Sequence, residues 1–272
     1  MNNDEQRAYW SGEVGTRWAT LGAAIDASFA PVTEAIVARA DLTGTQAVLD
    51  VGCGGGALTR ALAARARQVT GVDVSAPMLA TARAAAVPNT RFLEADAQIH
   101  ATWDDWFDRI VSRFGVMFFA DTVAAFANLH RAAAPDGRLI VAAWGPAEAN
   151  PWFTVPRAAA VARLGPVQDD PDAPGPFRFR DAGRVVDWLS RAGWRDAAAT
   201  PLDLSLTPPG SPAEVAAFST RIGGASRVLS AHGADEATRS AVARDLEPAF
   251  AAMTGMGGTR VPARINLFTA RA

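Results

Sequence analysis

Short apolar runs, glycine turns and segments of helical period alternate through the first half of the chain. Residues 47–51 are apolar apart from Asp50, and four glycines stand among the next five positions. This predicts a buried strand, a tight turn and then a helix over 57–66. The pattern repeats. Residues 68–73 read as a second strand ending in Asp73, with Ser75 and Pro77 opening the next helix. Residues 91–96 read as a third strand with Asp96 at its end, and 107–112 as a fourth. Asp121 caps a helix whose apolar stripe is Val123, Phe126, Leu129 and Ala133. The turn Pro135-Asp136-Gly137 then leads into a fifth strand over 138–144. Strands alternating with helices predict an α/β fold with a mostly parallel sheet covered on both faces.

The flanking regions have a different texture. In residues 1–45, Tyr9, Trp10, Val14, Trp18, Leu21 and Ile25 recur at nearly helical spacing, interrupted by Gly12 and Gly15. Two readings stand side by side: a helix packed on the sheet, or a flap that closes over a ligand. Proline and glycine crowd residues 145–179, which predicts an irregular connection. A helix follows over 181–192 and an edge strand over 197–206. Residues 211–253 read as two helical pieces split at His232-Gly233, and 264–269 as a last strand. The expected organisation is a helical flap (1–45), a nucleotide-binding core (46–145) and a substrate-side lid, helical insertion and final strands (146–272) completing the same domain.

Composition narrows the chemistry. With 272 residues, 49% hydrophobic and 20% charged, one elaborated globular domain is expected. A net charge of -2 offers no electrostatic reason to bind nucleic acid. All 26 basic residues are Arg, so Schiff-base chemistry on lysine is excluded. A single cysteine permits no intramolecular disulfide, and three scattered histidines argue against a zinc site. No long apolar span or signal peptide is visible, so a cytoplasmic location and no membrane association are the default expectations.

The glycine turn satisfies two patterns. Gly52-x-Gly54-x-x-Ala57 fits a dinucleotide fingerprint, and Asp50-x-Gly52-x-Gly54-x-Gly56 fits the turn of S-adenosylmethionine (SAM) enzymes. Asp73, about 20 residues further on, can accept hydrogen bonds from both ribose hydroxyls in either case. Asp96, after the third strand, stands where an adenine amino group can donate. An oxidoreductase has less support, since lysine is absent and Tyr9 is the single tyrosine.

Leu49-Asp50-Val51-Gly52-Cys53-Gly54-Gly55-Gly56, Gly71-Val72-Asp73-Val74-Ser75, Glu94-Ala95-Asp96-Ala97-Gln98, Phe107-Asp108-Arg109-Ile110-Val111-Ser112 and Pro135-Asp136-Gly137-Arg138-Leu139 occur in a telling order. The series resembles class I SAM-dependent methyltransferases, and most closely the group resembling ubiquinone/menaquinone-biosynthesis methyltransferases. The resemblance is strong over 46–145 and weaker at Tyr9 to Trp18 and at Asn150-Pro151-Trp152. It implies a seven-stranded Rossmann-like sheet whose last strand, 264–269, is antiparallel. It also implies SAM as cofactor, S-adenosylhomocysteine (SAH) as product and a small-molecule methyl acceptor.

Carried over by position, Asp50, Gly52, Cys53 and Gly54 would line the methionyl part of SAM. Asp73 would hold the ribose, and Val74 and Met78 would face the adenine. Asp96 and Ala97 would meet the adenine edge, and Ser112 would sit beside the sulfonium. From the flap, Trp10 and Trp18 would cover the cofactor, and Arg17 would bring a cation to the methionyl carboxylate. Phe114, Met117, Phe118, Trp144 and Trp152, with Phe119 and Phe153, form either an acceptor wall at the sheet's C-terminal edge or core beneath the lid. Arg157, Arg178, Arg180 and Arg221 are candidates for an anionic substrate group or plain surface charges. Where magnesium-dependent relatives carry acids after strand four, this chain has Ser112-Arg113-Phe114, so no metal is expected. No catalytic residue is assigned, and none of His100, His130 or His232 is expected to be indispensable. A SAM-binding fold serving a non-methylating reaction remains the alternative.

Overall fold

The computed structural model describes residues 3–103 and 106–272; residues 1 and 2 of the expected flap, and 104 and 105, lie outside the described residues. Seven strands form one sheet: β1 Ala47–Val51, β2 Gln68–Asp73, β3 Thr90–Glu94, β4 Phe107–Arg113, β5 Ala133–Trp144, β6 Arg195–Leu206 and β7 Val261–Arg271. Their spatial order is 3-2-1-4-5-7-6. Strands β1 to β5 run parallel, and β7 is antiparallel to both β5 and β6. The mostly parallel sheet and its antiparallel last strand are therefore as the sequence implies. β1 is central and buried at every position, Asp50 included. A strand buried on both faces is what a continuous apolar run predicts.

The leader forms four short helices, α1 Asn3–Ser11, α2 Glu13–Thr20, α3 Gly22–Ser28 and α4 Ala30–Ala40. They divide by burial. Ile25, Phe29, Val32, Ile36 and Ala40 are in the core, whereas α1 and α2 bury only Gln6 and Gly15. The i, i+4, i+7, i+11 spacing from Ile25 is one helical face. Tyr9, read as part of an apolar stripe, is instead 47% exposed. The packed reading thus describes the second half of the leader, while α1 and α2 lie mostly outside the core.

The turn after β1 opens α5 Ala57–Ala63, and the turn after β2 opens α6 Ala76–Ala84. Helix α7 Thr122–Ala132 is capped by Asp121, whose side chain accepts from the Ala124 N–H. The connection expected to be irregular over 145–179 contains a 14-residue helix, α8 Pro151–Leu164. Two prolines concealed it. Pro151 sits in the first turn, where no donor is lost, and only Pro156 removes a helical bond. The buried set Trp152, Phe153, Pro156 and Ala160 has the helical period that composition masked. Helix α9 Ala182–Arg191 follows. The two helical pieces expected over 211–253 are three: α10 Pro212–Ser219, α11 Gly223–Ala231 and α12 Glu236–Ala252. The split at His232-Gly233 is present, and the unforeseen one falls at 220–222, just before Gly223, which opens α11 with a positive φ of 70°.

Candidate cofactor and acceptor site

The glycine turn is folded by its own backbone and by one carboxylate. The N–H groups of Gly52 and Cys53 both donate to the Val72 carbonyl, at 2.8 and 3.1 Å, which ties the end of β1 to the end of β2. Gly52 has φ 67°, and a Cβ there would lie 2.7 Å from the Gly115 Cα. Only glycine meets both demands. Asp73 lies half-buried at the end of β2. Its Oδ2 accepts from the Gly54 N–H at 2.8 Å and its Oδ1 from the Ser75 N–H at 2.9 Å. Burial pushes the Asp73 carboxyl above the usual range, and these backbone donors oppose the rise. Asp73 therefore stands at the lip of the turn with lone pairs still available for a ligand.

Asp50 is 1% exposed, and the Thr59 hydroxyl donates to its Oδ2 at 2.6 Å. Thr59 comes from the first turn of α5 and was not singled out from sequence. Burial pushes Asp50 up to about 6 from 3.8, against the opposing pull of the Thr59 hydrogen bond and the Arg113 charge. The folded protein thus holds this proton where the unfolded chain has released it. As pH rises between those values the native state binds more protons than the unfolded state, so stability falls. The loss amounts to on the order of 3 kcal/mol once pH exceeds the folded value. Asp50→Asn should remove that slope. Denaturant unfolding from pH 4 to 7.5 should show the variant gaining on the parent by roughly that amount, and a constant difference would overturn the assignment. Burial also drives the Cys53 thiol well up, with Asp73 and Asp50 adding to the effect, so Cys53 is an inert wall of the turn.

Helices α1 and α2 lie across this end of the sheet. The Ser75 hydroxyl donates to the Trp10 carbonyl at 2.7 Å and the Ser11 hydroxyl to the Val74 carbonyl at 3.0 Å. Asn3 Nδ2 donates to Asp96 Oδ2, and the Ala120 N–H donates to Asn3 Oδ1 at 3.3 Å. Trp10 meets Trp18 edge-on at 5.5 Å and Phe118 at 5.1 Å. Ser11, Ser75 and Asn3 tie these helices down as a strap, and their contacts were not legible from sequence because each joins residues more than 60 positions apart.

At the end of β4, Ser112 is fully buried. Its hydroxyl donates to the Val51 carbonyl at 2.7 Å and accepts from the Gly115 N–H at 3.2 Å, bracing β4 against β1. Phe114 has φ 66°, a conformation that costs a residue with a Cβ about 1–2 kcal/mol. It is held by flat stacking on Trp144, with ring centroids 4.2 Å apart and planes 4° apart. Phe29, on the core half of the leader, packs edge-on against Phe114, Trp144 and Trp152. Sequence reasoning missed Phe29, although it continues the face of Ile25 and Val32. Met117, Trp144 and Trp152 are 1–3% exposed and belong to the core, while Phe114 and Phe118 are half-buried.

The structure thus brings Trp10, Trp18, Asp50, Gly52, Cys53, Gly54, Asp73, Val74, Met78, Asp96 and Ala97 to the C-terminal ends of β1, β2 and β3, beneath or within the strap. Met78 Cε lies where a Cβ on Gly54 would come within 2.8 Å. Arg17 is the outlier. Its Nη1 donates to Ser226 Oγ on α11 at 3.1 Å, facing the helical insertion. His100 packs on Trp103, His130 on Trp194, and His232 caps the end of α11. Arg178 and Arg180 on the segment between α8 and α9 gather with Arg184 in the first turn of α9, and Asp172 accepts from Arg180 and Arg184.

A parallel sheet with one antiparallel strand, a glycine turn after its central strand and an acid at the end of the next define a nucleotide-cofactor protein of the Rossmann-like class. Within it, residues 49–141 match the family model described as a methyltransferase domain. The chain is 42% identical over 100 residues to an uncharacterized methyltransferase of Mycobacterium tuberculosis, covering 36% of this chain and 50% of that one. It is 41% identical over 104 residues to a demethylmenaquinone methyltransferase of Thermus thermophilus, covering 36% of this chain and 47% of that one. The chain spans about half the length of the curated relatives it matches. Among solved structures, it shares its fold with phosphoethanolamine N-methyltransferase 2 of Haemonchus contortus in complex with SAM. That match has a TM-score of 0.53 and 18% identity, over 89% of this chain and 52% of that one. The matched stretch, residues 49–141, falls inside the region where the motif series carries its resemblance.

Proposed function

We propose that the protein transfers a methyl group from SAM to a small, partly apolar molecule by in-line displacement, without a metal ion. The observation that carries this reading is the pair of acids on the glycine turn inside a methyltransferase domain. Asp73 is free to accept from ribose hydroxyls, and Asp50 is held behind the turn by Thr59. The solved relative in complex with SAM supports the same cofactor here. The cradle suits it: backbone N–H groups close at hand, carboxylates for hydroxyl and ammonium groups, and an acid at Asp96 for an adenine amino group.

SAM supplies an electrophilic methyl group on a sulfonium centre. The chain's own residues supply place and dryness. Asp73 orients the ribose, and Asp50, ionised above about pH 6, balances the methionyl ammonium. Helices α1 and α2 exclude water, and the aromatic groups around Phe114 and Trp144 hold an apolar acceptor. Orientation of this kind is worth roughly 7–11 kcal/mol in favourable cases. A base is needed only where the nucleophile must lose a proton. The Ser112-Arg113-Phe114 segment presents no carboxylate after β4, and among the described residues no group of three or more His, Cys, Asp or Glu could hold a metal. The methyl-accepting atom is set by the acceptor and not by the nucleotide half.

Thermal melts test the reading. SAM or SAH at about 100 times its Kd should stabilise the protein by about 2.7 kcal/mol. The shift should persist in EDTA, and NAD(H) should produce none. Stabilisation by NAD(H) with none from SAM, or a SAM shift that EDTA abolishes and magnesium restores, would sink it.

A further inference from the structure

Three arginines lie where α2 reaches the helical insertion, and the single carboxylate of Glu236 serves two of them, Arg221 and Arg239. Arg17 reaches from α2 to Ser226 Oγ, and among the described residues it faces no carboxylate at ion-pair distance. Arg239, early in α12, has a side chain only 15% exposed. It donates through Nη1 to the Thr220 carbonyl and stands 3.6 Å from Glu236. Arg221, between α10 and α11, takes the other oxygen of Glu236 at 2.7 Å. The charges nearest Arg239 are Arg221, Glu236 and Arg17; burial first, then the two arginines, lower its pKa. Arg239 is largely buried, whereas Arg221 and Glu236 are 46% and 65% exposed, so the excess positive charge opens to solvent on one side, where an anion can reach it.

The same elements carry apolar surface up to this point. Phe218 lies one turn before Arg221 and packs on Trp152 with ring centroids 5.8 Å apart. Gly223, between Arg221 and Ser226, lies against the Phe153 ring, so that a Cβ there would sit 3.6 Å from it. Phe153 in turn meets Trp144 at 4.9 Å and Phe177 at 4.9 Å. An aromatic wall therefore ends at a cluster of arginines. The neighbouring Arg157 and Arg227 differ, because Asp169 is shared between them.

We propose that Arg17, Arg221 and Arg239 form a site for an oxyanion carried by the methyl acceptor, whose apolar body lies against Phe218, the partly exposed edge of the buried Trp152–Phe153 wall. This rests on the methyltransferase reading above. It reassigns Arg17 from the methionyl carboxylate of the cofactor to the acceptor. It also explains why a strap helix and a distant insertion share one polar contact: the acceptor's charge relieves the repulsion between them and draws α2 onto α11.

The test uses the full chain loaded with SAH and two matched probes, 2-naphthoate and the uncharged 2-naphthamide, titrated calorimetrically. The acid should bind at least about tenfold more tightly than the amide, since charge-assisted hydrogen bonds exceed neutral ones. Arg17→Gln, Arg221→Gln and Arg239→Met should each weaken the acid about tenfold or more and leave the amide and SAH unchanged. Arg239→Met keeps the apolar stem but gives up the bond to Thr220. Should it fold poorly, Arg17→Gln, on a half-buried strap position, carries the test alone. Equal affinity for acid and amide, no acid binding at millimolar concentration, or acid binding indifferent to the substitutions would overturn the oxyanion site. A loss of SAH affinity in Arg17→Gln would overturn it too, returning Arg17 to the cofactor. Failure of the parent to bind SAH overturns the cofactor reading instead, because the acid-to-amide contrast judges the oxyanion site without it.

Discussion

Asp73→Ala should leave a folded protein that has lost nearly all affinity for SAH. The carboxylate fixes the Gly54 and Ser75 N–H groups at 2.8 and 2.9 Å, and in the reading above it also receives the ribose hydroxyls. A hydrogen bond to a charged group contributes about 1.5–3 kcal/mol, so two lost hydroxyl contacts amount to roughly 3–6 kcal/mol, or about 10²- to 10⁴-fold in affinity. Stability should change less. Freeing two backbone donors destabilises, but removing a half-buried carboxylate whose pKa burial has raised offsets part of that. Asp73→Asn keeps one acceptor oxygen and should fall between parent and alanine variant. Calorimetric titration of SAH, read beside the melting curve of each variant, separates binding from folding. An alanine variant within tenfold of the parent's affinity would show that Asp73 is a strut of the turn and nothing more.

Deletion of residues 1–20 should cost more function than stability. The cut falls between the two halves of the leader and spares Ile25, Phe29, Val32, Ile36 and Ala40, the residues that pack in the core. It removes α1 and α2, which bury only Gln6 and Gly15 and are tied to the sheet by the Ser75, Ser11 and Asn3 contacts. A few partly exposed hydrogen bonds contribute about 0.5–1.5 kcal/mol each, well within the stability of a domain this size. A cooperative melt should survive, with SAH binding weakened by at least about two orders of magnitude because the cofactor site loses its cover. Deletion that abolishes the cooperative transition would show that the strap is part of the core, and unaltered SAH binding would show that it covers nothing.

Much of the nucleotide half was legible before any coordinates. Strand β1, the turn at Gly52 and the caps at Ser75 and Asp121 are local features, decided by apolar run length, missing β-carbons and side chains that reach three residues along the backbone. The antiparallel last strand and the match to a methyltransferase-domain model over 49–141 agree with what the order and spacing of the motif series imply. Sequence reasoning failed where composition and local period disagreed. In α8, two prolines and an alanine run hid a buried face at Trp152, Phe153, Pro156 and Ala160. In the leader, Tyr9 and Ile25 belonged to one apparent stripe, yet one is exposed and the other buried.

What the sequence by itself determined is the chemistry available: acids at the ends of β1 and β2, a turn that only glycine can make, arginine as the sole strong cation, and no lysine to act as nucleophile. What only the tertiary structure decided is which groups meet. Thr59 on Asp50, Asn3 on Asp96 and Arg17 on Ser226 are separated by 9, 93 and 209 positions. Periodicity reports which side of an element is buried, but not which element lies against it. A cation in the leader could have faced the cofactor or the insertion. The hydrogen bond from Arg17 to Ser226 on α11, 209 positions away, turns this guanidinium toward the insertion.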